Sequence, residues 1–122
     1  MKTFVGTDIV EIEDFEQAVT TWKEKFLNRI YTELELDTCQ RKIPGLAARF
    51  AVKESVLKAL EGYIERFSWK DIQILSKTNG CPYVQMSGTV LQRAKELGIS
   101  SFSISLSHSK KYAIAVVISY VE

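Results

Sequence analysis

Apolar and polar positions change period several times along this chain, and each change predicts an element. Residues 2 to 5 alternate weakly, and Val10 and Ile12 keep a period of two around an acidic stretch, so a first strand opens the chain. Asp8, in Gly6-Thr7-Asp8-Ile9, is placed just past that strand's end. Phe15, Val19, Trp22 and Phe26 then recur at steps of four, three and four, predicting one helix over residues 14–29 with a single core-facing stripe. Thr32 followed three residues on by Glu35 has the spacing of a capping box, predicting a short helix, and Pro44-Gly45 predicts the break after it. From Leu46 to Leu60 a helical repeat of strong helix formers runs up to Gly62 and predicts the longest, central helix. Trp69 to Leu75 and Tyr83 to Met86, either side of an Asn79-Gly80 turn, read as a hairpin. Val90, Leu91, Ala94 and Leu97 predict a helix ending at Gly98, and strands follow at 102–106 and 112–117. The expected class is α+β with an antiparallel sheet and a long central helix, one domain over residues 1–122 without repeat or linker.

Composition narrows the function classes. Apolar residues at 46% and charged residues at 25% suit a soluble globular protein, and no apolar run reaches the roughly 18 residues of a membrane span. The opening residues have neither the apolar stretch nor the cleavage pattern of a signal peptide, which makes the cytoplasm the expected compartment. Sixteen basic against fifteen acidic residues, net +1, remove the general phosphate attraction of a nucleic-acid binder, so neither nucleic acid nor membrane is an expected partner. Cys39 and Cys81 lie far apart, and with one histidine in the chain they make no conventional zinc site; both are expected as free thiols. In a chain this small, a site for a polyanion is easier to build between subunits than inside one.

Three segments carry candidate chemistry. Asp8 has a carboxylate not needed for capping, beside a glycine that allows close backbone approach. In Arg49 to Ala59, Glu54 and Lys58 are four apart on one helix face, with Arg49 expected near that face one turn earlier. That spacing fits a solvated surface ion pair. It also fits a metal-and-phosphate site, because magnesium takes few protein carboxylates and completes its octahedron with water and phosphate oxygens. Lys58 and Arg49 are then phosphate ligands. Ser105 to Ala113 forms the turn between the last two strands, where His108, Ser107, Ser109, Lys110 and Lys111 could hold an anion or simply make a soluble hairpin tip.

Taken together, Gly-Thr-Asp-Ile at 6–9, Arg-Phe-Ala-Val-Lys-Glu-Ser with Lys58 at 49–58, and Ser-Leu-Ser-His-Ser-Lys-Lys-Tyr-Ala at 105–113 closely resemble the signature blocks of the holo-acyl-carrier-protein synthase type of 4′-phosphopantetheinyl transferase. Phe26, Arg29-Ile30, Thr32, Glu35-Leu36 and Asn79-Gly80-Cys81-Pro82-Tyr83 extend the resemblance between the blocks. It implies transfer of 4′-phosphopantetheine from coenzyme A to a serine of an apo-acyl carrier protein, for fatty-acid or polyketide synthesis, by a homotrimer with interfacial sites. It also implies that Asp8 and Glu54 hold Mg2+, that Lys58, Arg49 and His108 face coenzyme A phosphates, and that Pro82 lies near the adenine. Lys58 is a catalytic residue on this reading. The serine proton has two candidate acceptors, a water at the metal and Glu35. Where the family often carries a basic residue at the start of the first helix, this chain has Glu13 and Asp14, leaving Lys23, Lys25 and Arg29 as the expected carrier-docking charges.

Two other readings belong to different classes. One is a module that binds coenzyme A or a carrier protein without turnover. The other is an interaction protein whose first helix presents its apolar stripe to a partner helix.

Overall fold

A computed structural model describes residues 2–62 and 64–122. β1 (Lys2–Glu11) leads into α1 (Ile12–Trp22), α2 (Glu24–Ile30), α3 (Glu33–Thr38) and α4 (Ile43–Lys58). A hairpin of β2 (Ile72–Ser76) and β3 (Pro82–Met86), helix α5 (Gly88–Leu97) and the long strands β4 (Ile99–His108) and β5 (Tyr112–Val121) complete the order. The class is α+β with antiparallel pairing throughout: β1-β5-β4 form one sheet and β2-β3 a second.

α4 is buried on most sides, because Leu46, Ala47, Ala48, Ala51, Val52, Val56 and Leu57 cover more than one stripe. Its C-terminal half packs with Ile72, Ile74, Val90, Ala115 and Val117 against both sheets and α5. Its N-terminal half packs with Ile12, Phe15, Leu27, Ile30 and Leu36 of the first three helices. Gly6 lets β1 lie directly on this helix: a Cβ there would stand 1.9 Å from the Ser55 carbonyl oxygen, a distance no side chain tolerates.

The structure redraws several sequence expectations. The helix expected over 14–29 is two helices, broken at Lys23, whose φ of 50° and ψ of −130° end one ladder and begin another. The break keeps Phe15, Leu27 and Ile30 buried while Trp22, expected on the core stripe, is 61% exposed. Pro44-Gly45 does not interrupt the chain but sits in the first turn of α4, where backbone N–H groups lack helical partners and proline costs nothing. Trp69–Asp71 is a 3-10 turn capped by Ser68, so its strand starts at Ile72. Asp8 is not beyond a strand end: β1 continues to Glu11 and Asp8 pairs with Ala115. The capping box of Thr32 and Glu35 forms as expected, and Gly98 ends α5 in the left-handed conformation.

Candidate active site

Because side chains alternate along a strand, Gly6, Asp8 and Val10 share the face of β1 that meets α4. The Gly6 contact with Ser55 and Ala59 fixes the distance between strand and helix, so the carboxylate two residues on reaches the last turn of α4. There Lys58 Nζ donates to the Thr7 carbonyl oxygen at 2.8 Å and to Asp8 Oδ1 at 3.3 Å. Asp8's side chain is 19% exposed and that of Lys58 51%, so the cluster opens to solvent on the lysine side. Glu54, four residues before Lys58, lies about 40° around the helix from it and faces the same cluster. Partial burial pushes the Glu54 carboxyl above its ordinary range, the charge of Asp8 pushes the same way, and Lys58 opposes both. Two carboxylates that repel each other beside a single ammonium suit a small hard cation. Among the described residues no group of three or more acidic, histidine or cysteine side chains could hold a metal, so this pair offers two ligands and leaves the others to water or substrate.

Arg49 does not join them. Nine residues at 100° each place it on the opposite side of α4 from Lys58, roughly 14 Å along the axis. Its Nη2 donates to Ser76 Oγ at 3.3 Å, and it lines a cleft of about 310 Å³ with Gly80, Pro82, Ile104, Ser105 and Leu106. Arg49 and Pro82, both expected at coenzyme A, thus share one cleft. His108 ends β4 instead of lying in the turn, opposite Ala113 and exposed, two residues beyond Leu106 on the same face. The tip itself is Ser109 to Lys111, held by Ser109 Oγ accepting from the Lys111 and Tyr112 amides. Asp8 lies on edge strand β1 and Leu106 on edge strand β4, both paired with Ala115 of β5 between them. The Asp8 cluster and the Leu106 wall of the Arg49 cleft therefore lie at opposite edges of one sheet, on strands two spacings, about 10 Å, apart.

Glu35 joins neither cluster. It is fully buried, and both oxygens are occupied: Oε1 accepts from Lys53 Nζ at 2.9 Å and from the Thr32 amide at 3.0 Å, and Oε2 accepts from the Ile74 amide at 3.0 Å. A carboxylate without solvent access and with its acceptors engaged ties α3 and β2 to α4, and this corrects its reading as a proton acceptor. Sequence reasoning missed its partner. Lys53 also donates to the carbonyls of Ile30 and Trp69, at 2.7 and 3.1 Å, and burial lowers its pKa against the pull of Glu35. The available signal was that Lys53 has Val56 and Leu57 three and four residues on, which puts it on an apolar face of α4 and not on the Glu54–Lys58 face.

Lys23, Lys25 and Arg29 are exposed. Lys25 and Arg29 line a shallow cleft with Ala18, Trp22 and Phe26, while Lys23 forms the break between α1 and α2. Cys39 is buried and Cys81 exposed, both as free thiols.

The model of the 4′-phosphopantetheinyl transferase superfamily matches residues 4–117. A holo-[acyl-carrier-protein] synthase of Dehalococcoides mccartyi is 45% identical over 115 residues, covering 94% of this chain and 96% of the relative. One from Herpetosiphon aurantiacus is 39% identical, covering 93% and 94%. Among solved structures, Helicobacter pylori holo-[acyl-carrier-protein] synthase in complex with coenzyme A superposes with a TM-score of 0.85 at 35% identity, covering 95% of this chain and 99% of that one. The Neisseria meningitidis enzyme gives the same TM-score at 30% identity, covering 96% and 97%. With the family model running through both residue clusters and nearly the whole fold, the chain belongs to the 4′-phosphopantetheinyl transferase superfamily and, within it, to the holo-acyl-carrier-protein synthases.

Proposed function

We propose that this chain transfers 4′-phosphopantetheine from coenzyme A to a serine of an apo-acyl carrier protein, releasing 3′,5′-ADP. The observation that carries the reading is the approach of Asp8, Glu54 and Lys58 at the β1–α4 contact, on the family background. Asp8 and Glu54 are the residues that would hold Mg2+; a bound ion would supply charge neutralisation at the pyrophosphate. The serine oxygen forms a bond to the pantetheine-side phosphorus. The bridging P–O bond breaks, 3′,5′-ADP leaves with the electron pair, and the hydroxyl proton is released towards water. Lys58, on a half-exposed flexible stem, places an ammonium against the charge growing on the leaving phosphate. Arg49 and Pro82 frame the cleft proposed for the nucleotide end, with His108 at its rim.

Half-sites on opposite sheet edges support a homotrimer, with α4 as the long central helix of each subunit, in which the Arg49 half of one copy completes the Lys58 half of the next. The outer sheet face supports the same assembly. Val5 and Ile9 are 65% and 62% exposed there, beside exposed Ile114 and Val116. Lys25 and Arg29 around Trp22 and Phe26 are proposed to meet the acidic carrier, in the cytoplasm.

Transfer of a labelled pantetheine to an apo-carrier, with and without Mg2+, tests the reaction. Glu54→Ala and Asp8→Ala are expected to lose at least a hundredfold in turnover while staying folded. Near-normal transfer in Glu54→Ala removes the metal assignment, and no transfer by the parent chain to any of a panel of carriers removes the reaction.

A further inference from the structure

The cation already at the carboxylate pair is the chain's own. Lys58 Nζ lies 3.3 Å from Asp8 Oδ1 and 2.8 Å from the Thr7 carbonyl oxygen, so two oxygens of β1 are partly satisfied by an ammonium. Lys58 stands one helical turn from Glu54, and Arg49, the other cation assigned to phosphate, faces away across α4. The lysine side chain is half exposed and anchored only at its tip. It can therefore leave Asp8 without repacking any core residue, whereas Asp8 is held by the β1 ladder.

We infer that Lys58 is a built-in competitor for the divalent cation: it is the counter-ion of the Asp8–Glu54 pair in the free protein and yields that place when coenzyme A phosphates draw its ammonium away. This rests on the metal assignment of the proposed function and adds an order of events to it. An ammonium within about 4 Å of a divalent ion repels it, and the repulsion weakens once the ammonium turns to a phosphate. Cation and coenzyme A then bind cooperatively, each raising the other's affinity by the same factor. The free protein takes up the cation poorly, and the cation arrives with the pyrophosphate.

The test titrates Mn2+ against the intact protein, following free Mn2+ by its spin-resonance signal, with and without coenzyme A and without any carrier protein, so that no turnover occurs. Lys58→Met keeps the aliphatic stem and removes the charge; Lys58→Arg keeps a charge. Without coenzyme A, Lys58→Met is expected to bind Mn2+ about tenfold more tightly than the parent, with Lys58→Arg near the parent value. The gain in Mn2+ affinity on adding coenzyme A should be large in the parent and at least several-fold smaller in Lys58→Met. Equal or weaker Mn2+ binding by Lys58→Met in the absence of coenzyme A overturns the inference. A different result overturns the metal assignment itself: Asp8→Asn that binds Mn2+ as the parent does when coenzyme A is present.

Discussion

At the scale of single residues, two carboxylates with the same chemistry have opposite duties because their surroundings differ. Glu35 is buried and accepts from three N–H donors, Lys53 among them, whereas Glu54 is partly buried beside another acid. Removing one partner of a buried pair strands the other's charge, so Glu35→Ala or Lys53→Met is expected to cost about 3–5 kcal/mol. Denaturant midpoints should show the double variant losing less than the sum of the singles. Additive losses would mean that the two do not act as a pair. Glu54 follows the other rule. Its carboxyl titrates higher in the fold than in the unfolded chain, so between those two values the native state holds an extra proton. Stability falls as pH rises through that window, and the cost persists above it. Glu54→Gln should therefore melt above the parent at pH near 7, with the gap closing below about pH 4, where both forms are neutral. A gap that stays constant at low pH would show that charge is not its cause.

At the scale of elements, the β1–α4 contact builds the candidate site and its tolerance is set by one missing side chain. A Cβ at Gly6 would meet the Ser55 carbonyl at 1.9 Å and the Ala59 amide nitrogen at 2.9 Å, both backbone atoms of a helix that cannot give way locally. Gly6→Ala should push β1 outward, cost more than about 2 kcal/mol and separate Asp8 from Lys58. A thermal melt read beside transfer kinetics checks this, and a variant with parental stability and turnover would show that the contact is not needed. The break at Lys23 is the other element-scale feature. A lysine at φ 50° is in a region that favours glycine, and the strain lets α1 and α2 each press an aromatic, Phe15 and Phe26, into the same group as Phe50.

At the scale of the whole molecule, the outer face of the three-stranded sheet divides into two zones. Val5, Ile9, Ile114 and Val116 make the β1–β5 side apolar, while Ser101, Ser103, Ser105 and Ser107 make the β4 side polar. An apolar zone of this kind is costly in water, and the proposed trimer would cover it. Val116→Asp, on a side chain 40% exposed that points away from α4, should leave each subunit folded and shift sedimentation towards the monomer. Transfer should fall with it, since the Arg49 half-site would lose its neighbour. A variant that sediments as the parent does would place the interface elsewhere.

Much of this protein is determined by local sequence. The Thr32–Glu35 cap, the Asn79-Gly80 turn and the Gly98 stop depend on neighbours a few residues away, and they form where the chain predicts them. The residues of the candidate site, Asp8, Glu54 and Lys58, stand in blocks that resemble the family's, and the fold brings them to one end of the β1–α4 contact. Other features depend on residues distant in the chain. Lys53 and Glu35 are 18 residues apart, and nothing local says that a lysine in an apolar helix has a buried carboxylate to meet. Arg49 and Lys58 lie in one sequence block yet on opposite sides of one helix, because at 100° per residue nine steps make a half-turn. Whether Asp8 ends a strand or sits within it, and whether Trp22 is core or surface, was settled by what packs against them: β5 continuing the ladder past Gly6, and a break at Lys23 turning one predicted helix into two.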